Sequence, residues 1–279
     1  MKKILIADDD PATLDLLVEA FGTGEFEITT APDGNAALEK LNGRKFDLLL
    51  TDVRMPGLDG IELLARLRQN PDSPRAIVMT SDDTTEVMLR AVREQAYHYV
   101  RKPLDLHALL DLVRDALSAK PASGSIEVIS AVPHWVEVLV PCELEAVGRI
   151  TGFMAQLKSD LSESEREQLG TAFRELLTNA IEWGGKLDPQ KKVRISCLRT
   201  PRMLQYRIAD PGRGFRLDEL DHAAVTNPPD DPLRHDDVRR EKGLRPGGYG
   251  IFMVRGLVDE LLYNEVHNEV VLIKYIAPA

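Results

Sequence analysis

Cysteine is scarce in this sequence. Its 279 residues include only two cysteines, Cys142 and Cys197. Two cysteines cannot form a disulfide framework, and such scarcity favours a reducing compartment. They are also too few for a zinc or iron–sulfur site built from cysteine ligands. We therefore expect a cytoplasmic protein that folds around a hydrophobic core.

Long apolar runs and an excess of positive charge are also missing. No run approaches the ~18 apolar residues that a membrane-spanning helix needs, and the apolar stretch at residues 4–7 is too short for an export signal. The chain carries 35 basic and 45 acidic residues, for a net charge of −10. Because nucleic-acid phosphates and anionic lipids attract basic surfaces, we expect neither a nucleic acid nor a membrane as a partner.

The first 119 residues alternate short apolar runs with helical patterns, an arrangement typical of βαβ units. Strands are expected at residues 2–7, 25–30, 46–51, 76–80 and 97–100, and helices at 11–22, 34–42, 59–69, 84–94 and 105–119. Five such repeats predict an α/β domain with a doubly wound, parallel five-stranded sheet. The functional edge of such a sheet lies at the carboxyl ends of its strands.

Residues 120–126 form the predicted linker, because the stretch 120–125 is rich in Pro, Gly and Ser. The pattern changes after it. Strands are expected at 126–132, 134–140, 191–199, 203–209, 260–263 and 270–276, and helices at 143–158, 163–183 and from about 248, with a polar loop before the last helix. Adjacent strands joined by short turns predict an α+β domain over residues 127–279.

Polar side chains stand at the ends of four strands of the first domain. These residues are Asp8 and Asp9, Asp52, Thr80 and Lys102. Clustered carboxylates repel one another unless a cation lies between them, and hard oxygen ligands with few protein contacts suit Mg²⁺. A simpler interpretation is that such aspartates cap helices. It accounts for Asp10 before Pro11, but not for complementary polar groups at four strand ends.

Four stretches contain these residues: ILIADDDP at 4–11, DLLLTDVRMPGLDG at 47–60, IVMTS at 77–81 and YHYVRKP at 97–103. Together they resemble the receiver domain of two-component response regulators, over residues 1–119. The resemblance implies that a sensor histidine kinase or phosphotransfer protein donates a phosphoryl group to this domain. One departure is Gln95, where relatives usually carry glycine.

The same resemblance implies a role for each matching residue. Asp52 would be the phosphoacceptor, and Asp8, Asp9 and Asp52 would hold Mg²⁺ with help from the Arg54 backbone carbonyl. Lys102 would pair with the phosphoryl group, Thr80 would turn toward it, and Tyr99 would be the aromatic switch. This assignment is chemically sensible, because Mg²⁺ and Lys102 would neutralise charge on the transferring oxygens.

The second domain lacks the G-x-x-x-x-G-K-[ST] motif, which excludes a Walker-type nucleotide site. It contains three other elements in order. Glu175 and Asn179 share one helix face, DPGRGF at 210–215 follows a strand, and GGYG at 247–250 opens a helix. Glycines at a helix start let backbone N–H groups approach a phosphate. Each element alone is more often a solvated pair, a turn or a cap.

In this order the three elements resemble the N, G1 and G2 boxes of the Bergerat-type ATPase fold. The stretches 250–260 and 263–275 resemble its anti-sigma-factor serine kinase branch, so the resemblance covers residues 127–277. It implies ATP as the ligand, with a lid at 216–246. Trp183 departs from the histidine that relatives often place there.

This resemblance also implies site residues. Asn179 would ligate Mg²⁺ on the phosphates, and Glu175 would activate the attacking hydroxyl. Asp210 would accept a hydrogen bond from the adenine amino group. Gly212 and Gly214 would let the backbone approach the nucleotide closely. Gly248 and Gly250 would bind it at the helix start.

The two domains together indicate a switch in which Asp52 phosphorylation controls a protein serine/threonine kinase or anti-sigma output. The implied partner is a STAS-domain anti-anti-sigma protein or a sigma factor, and the resemblance implies a homodimer. An interpretation from another class is a protein that binds nucleotide and sequesters its partner without transferring phosphate. Glu175 favours catalysis, because pure binding needs no base.

Two further outputs fit the sequence poorly. A histidine kinase needs a phosphorylatable histidine on a helical hairpin before the N box, which none of the six histidines provides: His98, His107, His134, His222, His235 and His267. A DNA-binding output lacks a helix-turn-helix pattern, and residues 121–279 carry 20 basic and 24 acidic residues.

Overall fold

The computed structural model describes the chain except for residues 23, 69, 71, 82–83, 120–123, 133, 157–160, 217–222, 229, 242–247 and 277–279. The chain divides into two compact units, Met1–Pro121 and Ala122–Ala279. Most of the predicted linker, residues 120–123, lies outside the described residues. Among the described residues, no helix combines the length and apolar character needed to cross a membrane.

The first unit is a five-stranded parallel sheet with order β2-β1-β3-β4-β5. Its strands are β1 (Lys2–Ala7), β2 (Phe26–Ala31), β3 (Leu48–Asp52), β4 (Arg75–Thr80) and β5 (His98–Arg101). Its helices are α1 (Pro11–Phe21), α2 (Gly34–Gly43), α3 (Gly60–Leu67), α4 (Thr85–Arg93) and α5 (Leu106–Ser118). The predicted doubly wound α/β architecture is confirmed, with each element within about two residues of its expected position.

Helices cover both faces of this sheet, which explains why its strands are apolar throughout rather than alternating. Ile4 and Leu50 face α1 and α5 within one buried cluster. Their neighbours Leu5 and Leu49 are fully buried as well, and strand alternation places them on the opposite face. The carboxyl ends of β1, β3, β4 and β5 therefore meet at one edge, as the sequence predicted.

Aspartates begin several helices of this unit. Asp10 accepts hydrogen bonds from the Ala12 and Thr13 N–H groups at the start of α1, and Asp33, Asp59 and Asp105 cap α2, α3 and α5 in the same way. The capping interpretation is thus correct for Asp10. It does not extend to Asp8 and Asp52, whose contacts are described below.

Gln95 adopts φ of 61° in the turn between α4 and β5. That is the left-handed region, which glycine occupies without steric strain. The turn at Gln95 thus has the backbone conformation that glycine favours, although the residue carries a side chain.

The second unit is a six-stranded antiparallel sheet, with order β10-β11-β9-β8-β7-β6, packed against helices. Its strands are β6 (Glu127–Val132), β7 (Trp135–Pro141), β8 (Lys192–Arg199), β9 (Met203–Ala209), β10 (Glu260–Tyr263) and β11 (Glu269–Tyr275). Its helices are α6 (Leu144–Gln156), α7 (Glu163–Asn179), α8 (Arg234–Glu241) and α9 (Gly250–Leu257). The expected α+β sandwich is confirmed.

One sheet face forms the core of this unit. Val138, Ile195, Ile208 and Val270 pair in one row across β7, β8, β9 and β11, and all four are buried. The Phe173 ring of α7 lies 4.9 Å from the Tyr206 ring, measured between centroids. Helix α7 is therefore anchored on the sheet by its apolar face, and this anchoring orients its polar face.

Two details of the second unit differ from the sequence expectation. The helix predicted at 163–183 is α7 followed by a π-helical turn, Ala180–Gly184. The last residue of this turn, Gly184, is followed directly by Gly185. The region expected to be a polar loop contains a 3₁₀ turn, Ala224–Thr226, and helix α8. With the sequence RHDDVRRE, α8 has a single apolar residue and thus no apolar periodicity that could predict it.

Two candidate sites, one in each unit

Two carboxylates and one ammonium group meet at the carboxyl edge of the parallel sheet. Asp8 is fully buried and Asp52 is 6% exposed. Lys102 Nζ lies 2.8 Å from Asp8 Oδ2 and 2.5 Å from Asp52 Oδ1. The sequence prediction that strand ends bring these three residues together is borne out by this geometry.

The backbone fixes the remaining carboxylate oxygens. The Asp10 N–H donates to Asp8 Oδ1 at 3.1 Å, and the Arg54 N–H donates to Asp52 Oδ2 at 2.6 Å. Gly60 packs directly on the Asp52 carbonyl, where a Cβ would overlap the oxygen. One oxygen of the Asp52 side chain is therefore held by Lys102 and the other by the Arg54 N–H. The start of α3 tolerates only glycine at position 60, because a Cβ would overlap the Asp52 backbone carbonyl.

The charges of this cluster are coupled. Burial raises the pKa of Asp52 above its usual value, although the Lys102 hydrogen bond and charge oppose that change. Burial acts to lower the pKa of Lys102, but its hydrogen bonds to Asp52 and Asp8 outweigh this effect and raise the pKa overall. Lys102 therefore stays protonated and supplies the positive charge between two carboxylates.

The arrangement fits a magnesium ion with few protein ligands. Asp8 and Asp52 already share one cation, so their oxygens can approach a common centre. Asp9 is exposed beside them, and the part of the chain that the structure describes contains no group of three or more His, Cys, Asp or Glu residues arranged for a metal. Mg²⁺ commonly takes one or two carboxylates and retains several waters. Roles for Asp9 and for the Arg54 carbonyl stay predictions.

Thr80 and Tyr99 lie inside the first unit. Both side chains are buried, with exposures of 1% each. Thr80 is the last residue of β4, and it pairs with Arg101 of β5. Tyr99 of β5 pairs with Val78, which precedes Thr80 by two residues on β4. The two proposed switch residues are thus neighbours on adjacent strands, close to the edge that carries Asp52.

In the second unit, the first predicted motif lies at the end of α7. Asn179 Nδ2 donates to Glu175 Oε1 at 3.4 Å, so both side chains occupy one helix face as expected. Gly250, the first residue of α9, lies against the Glu175 carboxylate, and a Cβ there would overlap Oε1. The absence of a side chain at Gly250 lets the start of α9 approach the acid.

The second motif surrounds Asp210, which follows β9. Its Oδ1 accepts the Gly212 N–H at 2.7 Å, and a Cβ on Gly184 would overlap the carboxyl group. Burial raises the pKa of Asp210, opposed by the Gly212 hydrogen bond and the charge of Lys186. The segment 175–184 thus contacts both other motifs, at Gly250 and at Asp210.

A clamp between the G1 motif and the β10–β11 turn was not expected from the sequence. Gly214 has φ of 78°, and a Cβ there would overlap the Val266 carbonyl oxygen. The Asp210 N–H donates to the Asn268 carbonyl at 2.9 Å, and Asn268 Nδ2 donates to the Gly212 carbonyl at 3.1 Å. This turn therefore holds the whole G1 loop in place.

Helix α8 contacts the third motif and was likewise missed. Tyr249 lies between Gly248 and Gly250, and its hydroxyl donates a hydrogen bond to Asp236 Oδ2 at 3.0 Å. Its ring meets the buried His235 ring edge-on, with centroids 4.3 Å apart. Gly248 has φ of 95°, and Gly247 lies outside the described residues. Part of the predicted lid thus holds the glycine-rich helix start.

Trp183 is 48% exposed in the π-helical turn, and Lys186 Nζ lies 5.8 Å from the centroid of its ring. The residue thus presents an indole face beside Lys186.

Comparison with known families agrees with both sites. Residues 4–114 match the response regulator receiver domain, and residues 140–274 match the histidine kinase-like ATPase domain. The chain therefore belongs to the response regulators, with a receiver domain followed by an ATPase-like domain. The suspected fusion of these two families is confirmed.

Several similar curated proteins are transcriptional regulators by name. FixJ of Bradyrhizobium diazoefficiens is 32% identical over 156 residues, which cover 55% of this chain and 76% of FixJ. GlrR of Escherichia coli is 26% identical over 213 residues, covering 76% of this chain and 46% of GlrR. The chain thus spans about half the length of GlrR. The receiver domain of the Francisella response regulator 1452 is 30% identical, with 42% of this chain and 97% of that one covered, at a TM-score of 0.40.

Proposed function

We propose that this protein is a response regulator in which phosphorylation of Asp52 controls ATP-dependent phosphorylation of a partner protein on serine or threonine. The observation that carries the proposal is the convergence of three motifs on the segment 175–184. Glu175 contacts Gly250, Asn179 bonds to Glu175, and Gly184 contacts Asp210. The proposed base and the proposed metal-binding amide therefore share one helix, and the proposed adenine acceptor packs against the turn that follows this helix.

In the receiver, Asp52 is the nucleophile toward a phosphodonor such as a sensor histidine kinase or a phosphotransfer protein. Lys102 neutralises charge on the transferring oxygens from its position between Asp8 and Asp52. Mg²⁺, when bound by the carboxylates, supplies further neutralisation of that charge. Thr80 and Tyr99 then respond from the adjacent strands.

In the ATPase-like domain, Asp210 accepts a hydrogen bond from the adenine amino group. Asn179 offers its carbonyl oxygen to the Mg²⁺ that accompanies ATP phosphates. Glu175 accepts the proton of the attacking hydroxyl, and such a base typically contributes ~10²–10⁴-fold in rate. Gly212, Gly214, Gly248 and Gly250 let backbone groups come close to the nucleotide.

The proposed partner is a STAS-domain anti-anti-sigma protein or a sigma factor, and we expect the protein to act in the cytoplasm as a homodimer. Its relatives' names point to transcription, but the acidic charge of residues 121–279 favours a protein partner over DNA. An electrophoretic mobility shift with promoter DNA at low salt tests this directly. A sequence-specific complex would contradict the protein-partner proposal.

The alternative is a protein that binds ATP and sequesters its partner without transferring phosphate. Glu175→Ala and Asn179→Ala separate the two functions, with Glu167→Ala on the exposed side of α7 as the control. The kinase proposal expects Glu175→Ala to keep its ATP affinity while partner phosphorylation falls by ~10²-fold or more. Asn179→Ala should weaken Mg²⁺-dependent ATP binding. Wild-type protein that binds ATP and partner but transfers no phosphate would favour sequestration.

Two further substitutions test the ligands themselves. Asp210→Asn replaces one carboxylate oxygen, an acceptor, by an NH₂ group, a donor, and should weaken ATP binding strongly. The wild-type protein should bind GTP poorly. Equal ATP and GTP affinities by calorimetry would contradict the adenine role.

Asp52→Ala should abolish labelling by acetyl phosphate in the presence of Mg²⁺. Undiminished labelling would remove Asp52 from the mechanism.

A further inference from the structure

Two segments of the predicted lid hold the glycine-rich start of α9. The 3₁₀ turn donates the Ala224 N–H to the Gly248 carbonyl at 2.9 Å. Helix α8 holds the next residue, because Asp236 accepts the Tyr249 hydroxyl and the His235 ring meets the Tyr249 ring edge-on. The position of this motif is therefore set by the 3₁₀ turn and by α8 together.

The side chain of Asn227 joins these two segments. Its Nδ2 donates to the Pro232 carbonyl at 2.6 Å, and its Oδ1 accepts the His235 N–H at 3.0 Å. A carbonyl can only accept and a backbone N–H can only donate, so these two bonds fix which amide atom is the nitrogen. The same Nδ2 lies 2.6 Å from His235 Nδ1. Nδ1 is therefore the acceptor in that contact.

This contact selects one form of the His235 ring. A ring nitrogen that accepts a hydrogen bond carries no proton, so the ring is neutral with its proton on Nε2, which lies 3.4 Å from Asp236 Oδ1. Among the described residues, the titratable groups that contact the ring are Asp236 of α8 and Tyr249 at the start of α9.

Protonation of the ring is incompatible with the Asn227 contact. A charged ring would keep the Asp236 carboxylate beside Nε2, but it would set an Nδ1–H against the Nδ2 donor of Asn227. The amide cannot turn over to offer its oxygen, because its other two bonds would then pair donor with donor and acceptor with acceptor. Since His235 is fully buried, water does not replace the lost bond.

We propose that Asn227 and His235 are positioning residues of the ATP site, and that protonation of His235 releases the start of α9 and lowers ATP affinity. This inference rests on the proposed function, because it takes the glycines of this motif as nucleotide-binding. The two residues touch no nucleotide and act through Tyr249, which lies between Gly248 and Gly250. The neutral ring belongs to the binding-competent form. Affinity is therefore full at high pH and falls as the ring takes up a proton, which imidazoles ordinarily do between about pH 8 and 5.

The first experiment measures ATP affinity by calorimetry from about pH 8 to about pH 5 in the full chain. It compares wild type with His235→Asn, whose side-chain oxygen can accept the Asn227 bond but takes up no proton in this range. The matched control is His134→Asn, because His134 is exposed between β6 and β7. Titration of ATP itself is common to all three proteins.

We expect the affinity of wild type and of His134→Asn to fall about fivefold more over this range than the affinity of His235→Asn. One net hydrogen bond has about that effect on an equilibrium. Equal pH profiles in wild type and His235→Asn would overturn the inference while the proposed function stands. A wild-type protein that binds no ATP at any pH would remove both.

The second experiment uses NMR of the wild-type chain with ¹⁵N-labelled histidine and glycine, and needs no substitution. With ATP bound at high pH, the His235 ring should be neutral with its proton on Nε2. As the pH falls, the amide signals of Gly248 and Gly250 should shift with the same midpoint as the ring signals. A proton on Nδ1, or glycine signals that do not follow the ring, would overturn the inference even if His235→Asn fails to fold.

Discussion

Replacing Lys102 by alanine removes the ammonium group that two buried carboxylates share. Asp8 is fully buried and Asp52 is 6% exposed, so neither carboxylate regains full hydration when the lysine is lost. Removing one partner of a buried ion pair typically costs about 3–5 kcal/mol. The Lys102 side chain is 21% exposed. We therefore expect Lys102→Ala to lower the stability of the first unit by about 3 kcal/mol, the lower end of that range.

A surface lysine of the same unit provides a matched control. Lys2 Nζ lies 2.9 Å from Asp47 Oδ1, almost the Lys102–Asp8 distance, but the Lys2 side chain is 55% exposed. Exposed pairs contribute about 0–1 kcal/mol, so Lys2→Ala should have little effect. Hydrogen exchange of β1 and β3 amides measures this unit separately from the second one. Equal losses in the two variants would refute the argument from burial.

The pH dependence of the same variant gives an independent check. Burial already raises the pKa of Asp52, and without Lys102 we expect a further rise. The folded variant then binds a proton more tightly than the unfolded chain does. Its destabilisation is therefore greatest above the folded-state pKa of Asp52 and should shrink as the pH falls through that pKa toward the lower value of the unfolded chain. A stability difference from wild type that is constant over this range would contradict the explanation.

Three other substitutions follow from backbone geometry. Gln95→Gly should stabilise the first unit by about 1 kcal/mol by relieving a left-handed conformation, and an unchanged or lower melting temperature would contradict this. Gly214→Ala would place a Cβ at a position with φ of 78° and against the Val266 carbonyl. Calorimetry should therefore show that the second unit loses at least ~2 kcal/mol of its free energy of unfolding. Unchanged stability would exclude the clamp. Gly250→Ala should displace the Glu175 carboxylate and slow partner phosphorylation by at least about tenfold, whereas Gly148→Ala should not; equal rates in both variants would argue against this contact.

The sequence by itself determined the order and type of nearly all elements. Short apolar runs separated by helical patterns leave a parallel sheet as the simple solution, and such a sheet brings strand ends to one edge. Asp8, Asp52 and Lys102 are far apart in the chain, yet this rule was sufficient to predict their meeting. The i, i+4 spacing of Glu175 and Asn179 was sufficient for a different reason, because it depends on local helix geometry alone.

Only the tertiary structure decided the contacts that local periodicity does not encode. Helix α8 has no apolar face, yet its His235 is buried, and the ring of Tyr249 meets it edge-on from beyond the end of the helix. The clamp of Gly214 on the β10–β11 turn and the packing of Gly184 on Asp210 depend on the sheet order and on the absence of a Cβ. A glycine in a sequence shows that close approach is allowed, but the partner that approaches is set by long-range packing.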